Sequence, residues 1–181
     1  MLADLLAEKQ EEIVAKWREV VFSCYPAETQ RFFRSEKDRF ANPIAYQVSR
    51  GIKLLYAALL RDADASEITP CLDEIISVKA LQESSPAQAL AFIFLLKNII
   101  RSELAPELQD PEVAAQCLEW ESRLDGVALL GFEVYMKRRE RLSELRVEEM
   151  RRWVGGLMRR AGLHLDLGQE FVCSGGKDPV S

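Results

Sequence analysis

Ser85–Glu103, SPAQALAFIFLLKNIIRSE, holds the longest apolar run in the chain and opens with a complete helix-start signal. Ser85 can cap a helix. Pro86 suits the first helical position because its missing N–H would have had no partner there, and Gln88 stands three residues after the cap to answer it. From Ala89 to Leu96 every residue is apolar, so the run predicts a helix contacted from several sides rather than one with a narrow hydrophobic stripe. Such a run is far too short to span a bilayer, which needs roughly 20 residues. A buried strand is the competing reading, but Ala87, Ala89, Ala91, Leu95, Leu96, Lys97 and the preceding cap favour a helix.

Lys97 falls on the line Leu90, Ile93, Lys97, Ile100, Leu104, whose spacing sets its stem among apolar neighbours. Three states remain open for it. Its methylenes can cover the core while the ammonium reaches water, it can form an internal ion pair, or it can be a reactive amine.

The same start grammar, a capping side chain followed by proline, recurs at Asn42-Pro43, Thr69-Pro70 and Asp110-Pro111. It predicts helices joined by short connections and crossing steeply or running antiparallel. Ahead of them Leu2 to Val21 reads as the first helix, with Leu2, Leu5, Leu6, Ile13 and Trp17 on its apolar face. A polar stretch from Ala27 to Arg39 follows, anchored by Phe32, Phe33 and Phe40. In the helix after Asn42-Pro43, Gly51 offers room for a neighbouring helix to come close. After Asp110-Pro111, Val113, Cys117, Trp120, Leu124, Val127, Gly131 and Val134 repeat at alternating steps of four and three and should face the core or a partner.

That register fails at Arg138 and Arg141, leaving a sparse stripe of Leu142, Leu145, Met150, Trp153 and Leu157. The long C-terminal helix either projects as an arm or folds back over Leu2–Val21. Gly155-Gly156 is expected to loosen or end it. The fold class expected is all-α: a compact multi-helix bundle with a long C-terminal helix. A helical regulatory or interaction domain over 1–160 precedes a tail over 161–181.

With 181 residues and 48% apolar content the chain can build one sizeable core. Its 24 basic and 29 acidic residues give a net charge of -5, so general attraction to nucleic acid or anionic lipid is not expected. Between Lys137 and Arg160, however, nine Lys or Arg stand against four Glu. Arg138, Arg139, Arg141, Arg146, Arg151 and Arg152 mark this segment as an interaction arm, with an ordinary solvated helix surface as the alternative. No apolar 20-mer and no leader pattern occurs, so a cytoplasmic protein with no membrane partner is expected.

Catalytic patterns are absent. His164, the only histidine, lies near the C-terminal end, which excludes schemes needing two imidazoles and leaves no interior proximal ligand for a haem. Cys24, Cys71, Cys117 and Cys173 are dispersed and form no paired ligand motif, so reduced thiols are expected. Neighbouring acids such as Asp73-Glu74 point in different helical directions and make no two-carboxylate site by themselves. Ser174-Gly175-Gly176-Lys177 lacks the spacing of a phosphate loop. No catalytic residue, metal site or cofactor is expected.

Phe40-Ala41-Asn42-Pro43, then Ile75 to Gln82, and especially Ser85 to Phe92 with Leu96-Lys97-Asn98-Ile99-Ile100, resemble the RsbRD-type N-terminal domain. The likeness extends through Gly131-Phe132-Glu133-Val134-Tyr135 and covers roughly Leu5–Glu149. It implies a helical domain, with a non-haem globin-like arrangement as one option. It also implies kinship with bacterial stress-response regulators of the RsbT co-antagonist type, where an N-terminal input or assembly domain commonly precedes a STAS domain. With the sequence ending at Ser181, neither a STAS module nor kinase antagonism through one is expected. The resulting expectation is a noncatalytic signalling or protein-interaction domain with a protein partner or a second copy of itself. The alternatives are a small-molecule sensor with Gln82 and Lys97 as polar contacts in an inter-helix pocket, and, less favoured, an enzyme of unrecognised type.

Overall fold

A computed structural model describes residues 1–25, 30, 42–81 and 84–160. Among them lie six α-helices and no strand: α1 (Leu2–Glu8), α2 (Gln10–Ser23), α3 (Pro43–Leu60), α4 (Ala65–Leu81), α5 (Pro86–Glu103) and α6 (Pro111–Arg160), with a short 3-10 turn at Glu107–Gln109. The chain divides into two compact units, residues 1–142 and 143–181. The expected anchors Phe32, Phe33 and Phe40, together with Gln82, His164 and Cys173, lie outside the described residues.

Three of the four expected starts hold. Asn42 is buried and its Oδ1 accepts from the Ala45 N–H at 3.0 Å. At α5, Ser85 Oγ accepts from Gln88 N–H while Gln88 Oε1 accepts from Ser85 N–H, closing a capping box in both directions. Asp110 Oδ1 accepts from Glu112 N–H at 2.8 Å where Pro111 opens α6. The fourth start is wrong: α4 begins at Ala65 and carries Pro70 inside it. Asp64, earlier in the chain, takes the Ser66 and Glu67 N–H groups at 2.8 and 3.2 Å and so nucleates the helix first. Pro70 then leaves the Ser66 carbonyl without its usual donor, and Thr69 Oγ1 turns back to the Ala65 carbonyl at 2.6 Å instead of capping.

The first helix is also not continuous. Lys9 sits in a turn at φ -91° and ψ 13° between α1 and α2. Its ammonium donates to the Glu103 carbonyl at 2.6 Å and pairs with Glu107 at 2.9 Å, which pins the bend to the end of α5. Gly155 and Gly156, by contrast, do not end α6, which runs to Arg160. Glycine costs a helix only about 1 kcal/mol relative to alanine, too little to break fifty continuous residues.

The core of residues 1–142 forms around α5. Trp17 donates its indole N–H to the Phe92 carbonyl at 2.7 Å and stacks on the Phe92 ring at 5.9 Å, while Tyr56 donates to the Leu6 carbonyl at 3.0 Å. All three aromatic side chains are fully buried, each contributing on the order of 2–3 kcal/mol of transfer free energy. Gly51 lets α3 meet α4 closely: a Cβ there would stand 2.9 Å from Ile75 Cγ1. Gly131 does the same for α6, where a Cβ would meet Leu90 Cδ2 at 2.9 Å and Ile93 Cδ1 at 3.2 Å. Every member of the stripe from Val113 to Val134 is buried, as its spacing predicts.

The expectation that Ala89–Leu96 is contacted from several sides is met for part of the run. Ala89, Leu90, Phe92, Ile93 and Leu96 are buried, but Phe94 is 49% exposed, and Ala91 and Leu95 are half-buried. Neighbouring helices cover one side of α5, and its other side remains apolar and open.

Candidate functional site

The open side of α5 adjoins an equally apolar line on α6. Leu129, Phe132 and Met136, spaced three and four apart, share one face of that helix and are 74%, 46% and 48% exposed. Between the two helices runs a groove of about 480 Å³, lined by Pro86, Ala87, Leu90, Ala91, Phe94, Leu95, Asn98 and Phe132. It therefore has Phe94 and Phe132 on its walls and little polar surface. The backbone beneath is rigidly placed, because the capping box fixes the start of α5 and Gly131 sets the distance between the helices.

Lys97 stands at the edge of this patch. Its ammonium pairs with Asp125 at 2.6 Å and lies 5.9 Å from the Phe94 ring centre, with the lysine side chain 18% exposed and the aspartate 56%. Of the three states open from sequence, the structure shows a covered stem with a partly solvated ion pair. Lys137 and Glu133 form a second pair at 2.6 Å. The charges around the patch are thus matched within one chain.

The arginines expected to act together separate. Arg138 grips Asp73 with two nitrogens, Nε to Oδ1 at 2.6 Å, and Arg139 lies 3.5 Å from the Ala80 carbonyl, so both hold α6 against α4. Arg141 and Arg146 have contacts of their own. Arg152 donates to the Glu148 carbonyl within its own helix at 3.4 Å, and Arg151 is exposed in the second unit. Asp73 and Glu74 turn to different cations, Arg138 and Arg50, as adjacent helical carboxylates should.

Sequence reasoning missed Lys79. It is 2% exposed, with its ammonium 4.2 Å from the centre of the Tyr25 ring, and burial pushes its pKa down while the nearby Cys24 opposes the shift. The signal was available in the line Leu72, Ile76, Lys79, whose spacing places the lysine on the same face as two core residues. Glu121 is a second buried charge, 6% exposed and held by Arg101 through two bonds of 2.5 and 2.6 Å.

Cys24, Cys71 and Cys117 are free thiols; burial raises the pKa of Cys117 and Cys71, which disfavours the nucleophilic thiolate. Among the described residues no group of three His, Cys, Asp or Glu could hold a metal ion, and no helix is long and apolar enough to cross a membrane.

No curated protein and no solved structure shows a significant match to the chain. Residues 11–150, well over half of it and including both walls of the groove, match the family described as the RsbT co-antagonist protein rsbRD N-terminal domain, and the chain belongs to that family.

Proposed function

We propose that this chain is a noncatalytic input and assembly domain of a stress-response regulator, and that it assembles by pairing with a second copy of itself. The observation that carries this reading is the apolar face of α5 and α6. Phe94, Leu129, Phe132 and Met136 leave a large hydrophobic surface bare, of the kind that marks interaction sites.

A second copy suits this face for two reasons. Phe132 stands beside a groove that an identical aromatic side chain from a two-fold related copy can enter, so knob and hole lie on the same surface. The flanking Lys97–Asp125 and Lys137–Glu133 pairs are internally neutral, so two such faces meet without net repulsion. The α5 and α6 helices of two chains would then form a four-helix layer, burying aromatic and methionine side chains at its centre.

Light scattering after size-exclusion chromatography tests this with the double variant Phe132→Glu, Met136→Glu. Both residues are about half exposed, so the fold is retained, and a fall to the mass of one chain is expected. An unchanged dimer mass with those two glutamates in place would refute the face.

A further inference from the structure

Residues 147–160 of the second unit form a helix whose apolar side chains are bare. Val147, Met150, Trp153, Val154 and Leu157 are 45%, 67%, 68%, 40% and 44% exposed. At 100° per residue these side chains, with Met158, fall within an arc of roughly 140°. On the same wheel Arg151 and Arg160 stand at the two edges of the arc, and Arg152 and Arg159 on the opposite side. From Val147 to Arg160 there are four arginines against Glu148 and Glu149, a local charge of +2 in a chain whose net charge is -5.

Apolar width, a tryptophan near the edge of the arc and arginine on both flanks are the chemistry of a helix that lies in a bilayer surface. At 1.5 Å per residue this segment is about 21 Å long, short of the roughly 30 Å hydrocarbon thickness, so it would lie on a membrane and not cross it. Charge decides between the occupants of the face. A second copy aligned on it brings the same arginine edges and like-charge repulsion, whereas a surface of anionic phosphate headgroups brings the complementary charge and bidentate acceptors for guanidinium.

We propose that residues 147–160 are a reversible docking surface for an anionic lipid bilayer, with Met150, Trp153, Val154 and Leu157 entering the headgroup boundary and Arg151 and Arg160, at the two edges of the arc, binding phosphate. Glu148 and Glu149 lower the positive charge of the segment without reversing it.

Flotation of the full chain with vesicles tests the proposal. Binding to vesicles of phosphatidylglycerol and phosphatidylcholine in equal parts is expected, with little binding to pure phosphatidylcholine and release at about 0.5 M salt. Each arginine near an anionic surface is worth about fivefold, so the variant R151Q/R160Q should bind about 25-fold more weakly. The variant M150Q/W153Q/L157Q should lose binding as well, while circular dichroism and the solution mass stay as in the parent chain. Three results would overturn the proposal: no binding to phosphatidylglycerol vesicles at millimolar lipid, equal binding by either variant, or a fall in oligomeric mass on M150Q/W153Q/L157Q, which would assign the face to a second copy.

Discussion

Three helical glycines allow packing to be separated from helix propensity. Gly51, Gly126 and Gly131 all lie inside helices, so replacing each by alanine brings the same gain of about 1 kcal/mol in intrinsic preference. At Gly126 nothing stands within 4 Å of the added Cβ, and Gly126→Ala should therefore stabilise the chain by about that amount. At Gly51 the new methyl would meet Ile75 Cγ1 at 2.9 Å, Glu74 Cβ at 3.1 Å and the Cys71 carbonyl at 3.3 Å. None of these is the free end of a side chain, so α3 and α4 must move apart. Overpacking of this kind costs about 1–3 kcal/mol, which after the propensity gain leaves a net loss of up to about 2 kcal/mol. At Gly131 the contacts are methyl ends of Leu90, Ile93 and Ile76, which can swing, and Gly131→Ala should fall between the other two. Urea unfolding followed by circular dichroism gives the order directly. If Gly51→Ala stabilised as much as Gly126→Ala, the close approach of α3 to α4 would be refuted.

Lys79→Met should stabilise the chain, and by an amount that depends on pH. Burial holds the folded ammonium's pKa below the ordinary 10.5, so between the two values the unfolded chain binds more protons and the stability of the parent rises with pH. Below that window the penalty is present in full. The advantage of methionine should be largest at neutral pH and shrink as pH approaches 10; a constant difference over that range would show that Lys79 is not desolvated. Above pH 10 the buried Tyr25 and Tyr56, whose pKa values burial raises, act in the opposite direction, which sets the upper limit of the test. For the Arg101–Glu121 pair, Arg101→Met should destabilise more than Glu121→Gln, because it leaves a buried carboxylate unpaired whereas the reverse leaves an exposed guanidinium. Thermal melts of the two variants in the same buffer compare them, and the opposite order would count against the burial of Glu121.

The helices were legible in the sequence where capping chemistry was unique. Ser85-Pro86 with Gln88 leaves one way to start, and the structure uses it. Thr69-Pro70 looks alike, but Asp64 offers an earlier cap, and local grammar cannot rank two caps whose order depends on how α4 packs on α3. The stripe from Val113 to Val134 was legible because a buried face repeats regularly along one helix. The open apolar face was not, for a related reason: an all-apolar run such as Ala89–Leu96 does not say which side its own chain covers. Only the placement of α2, α4 and α6 shows that Phe94 and Leu95 face outward. Lys97 and Lys79 sit on similar apolar lines, yet one reaches Asp125 at the surface and the other ends against Tyr25 in the interior. That difference lies in contacts distant in sequence.

The mass of the parent chain in solution, measured beside the Phe132→Glu, Met136→Glu variant, tests the assembly reading most directly. Twice the 20.6 kDa of one chain for the parent and 20.6 kDa for the variant are expected. A parent that stays at 20.6 kDa across the micromolar range, or a variant that remains at double that mass, would contradict it.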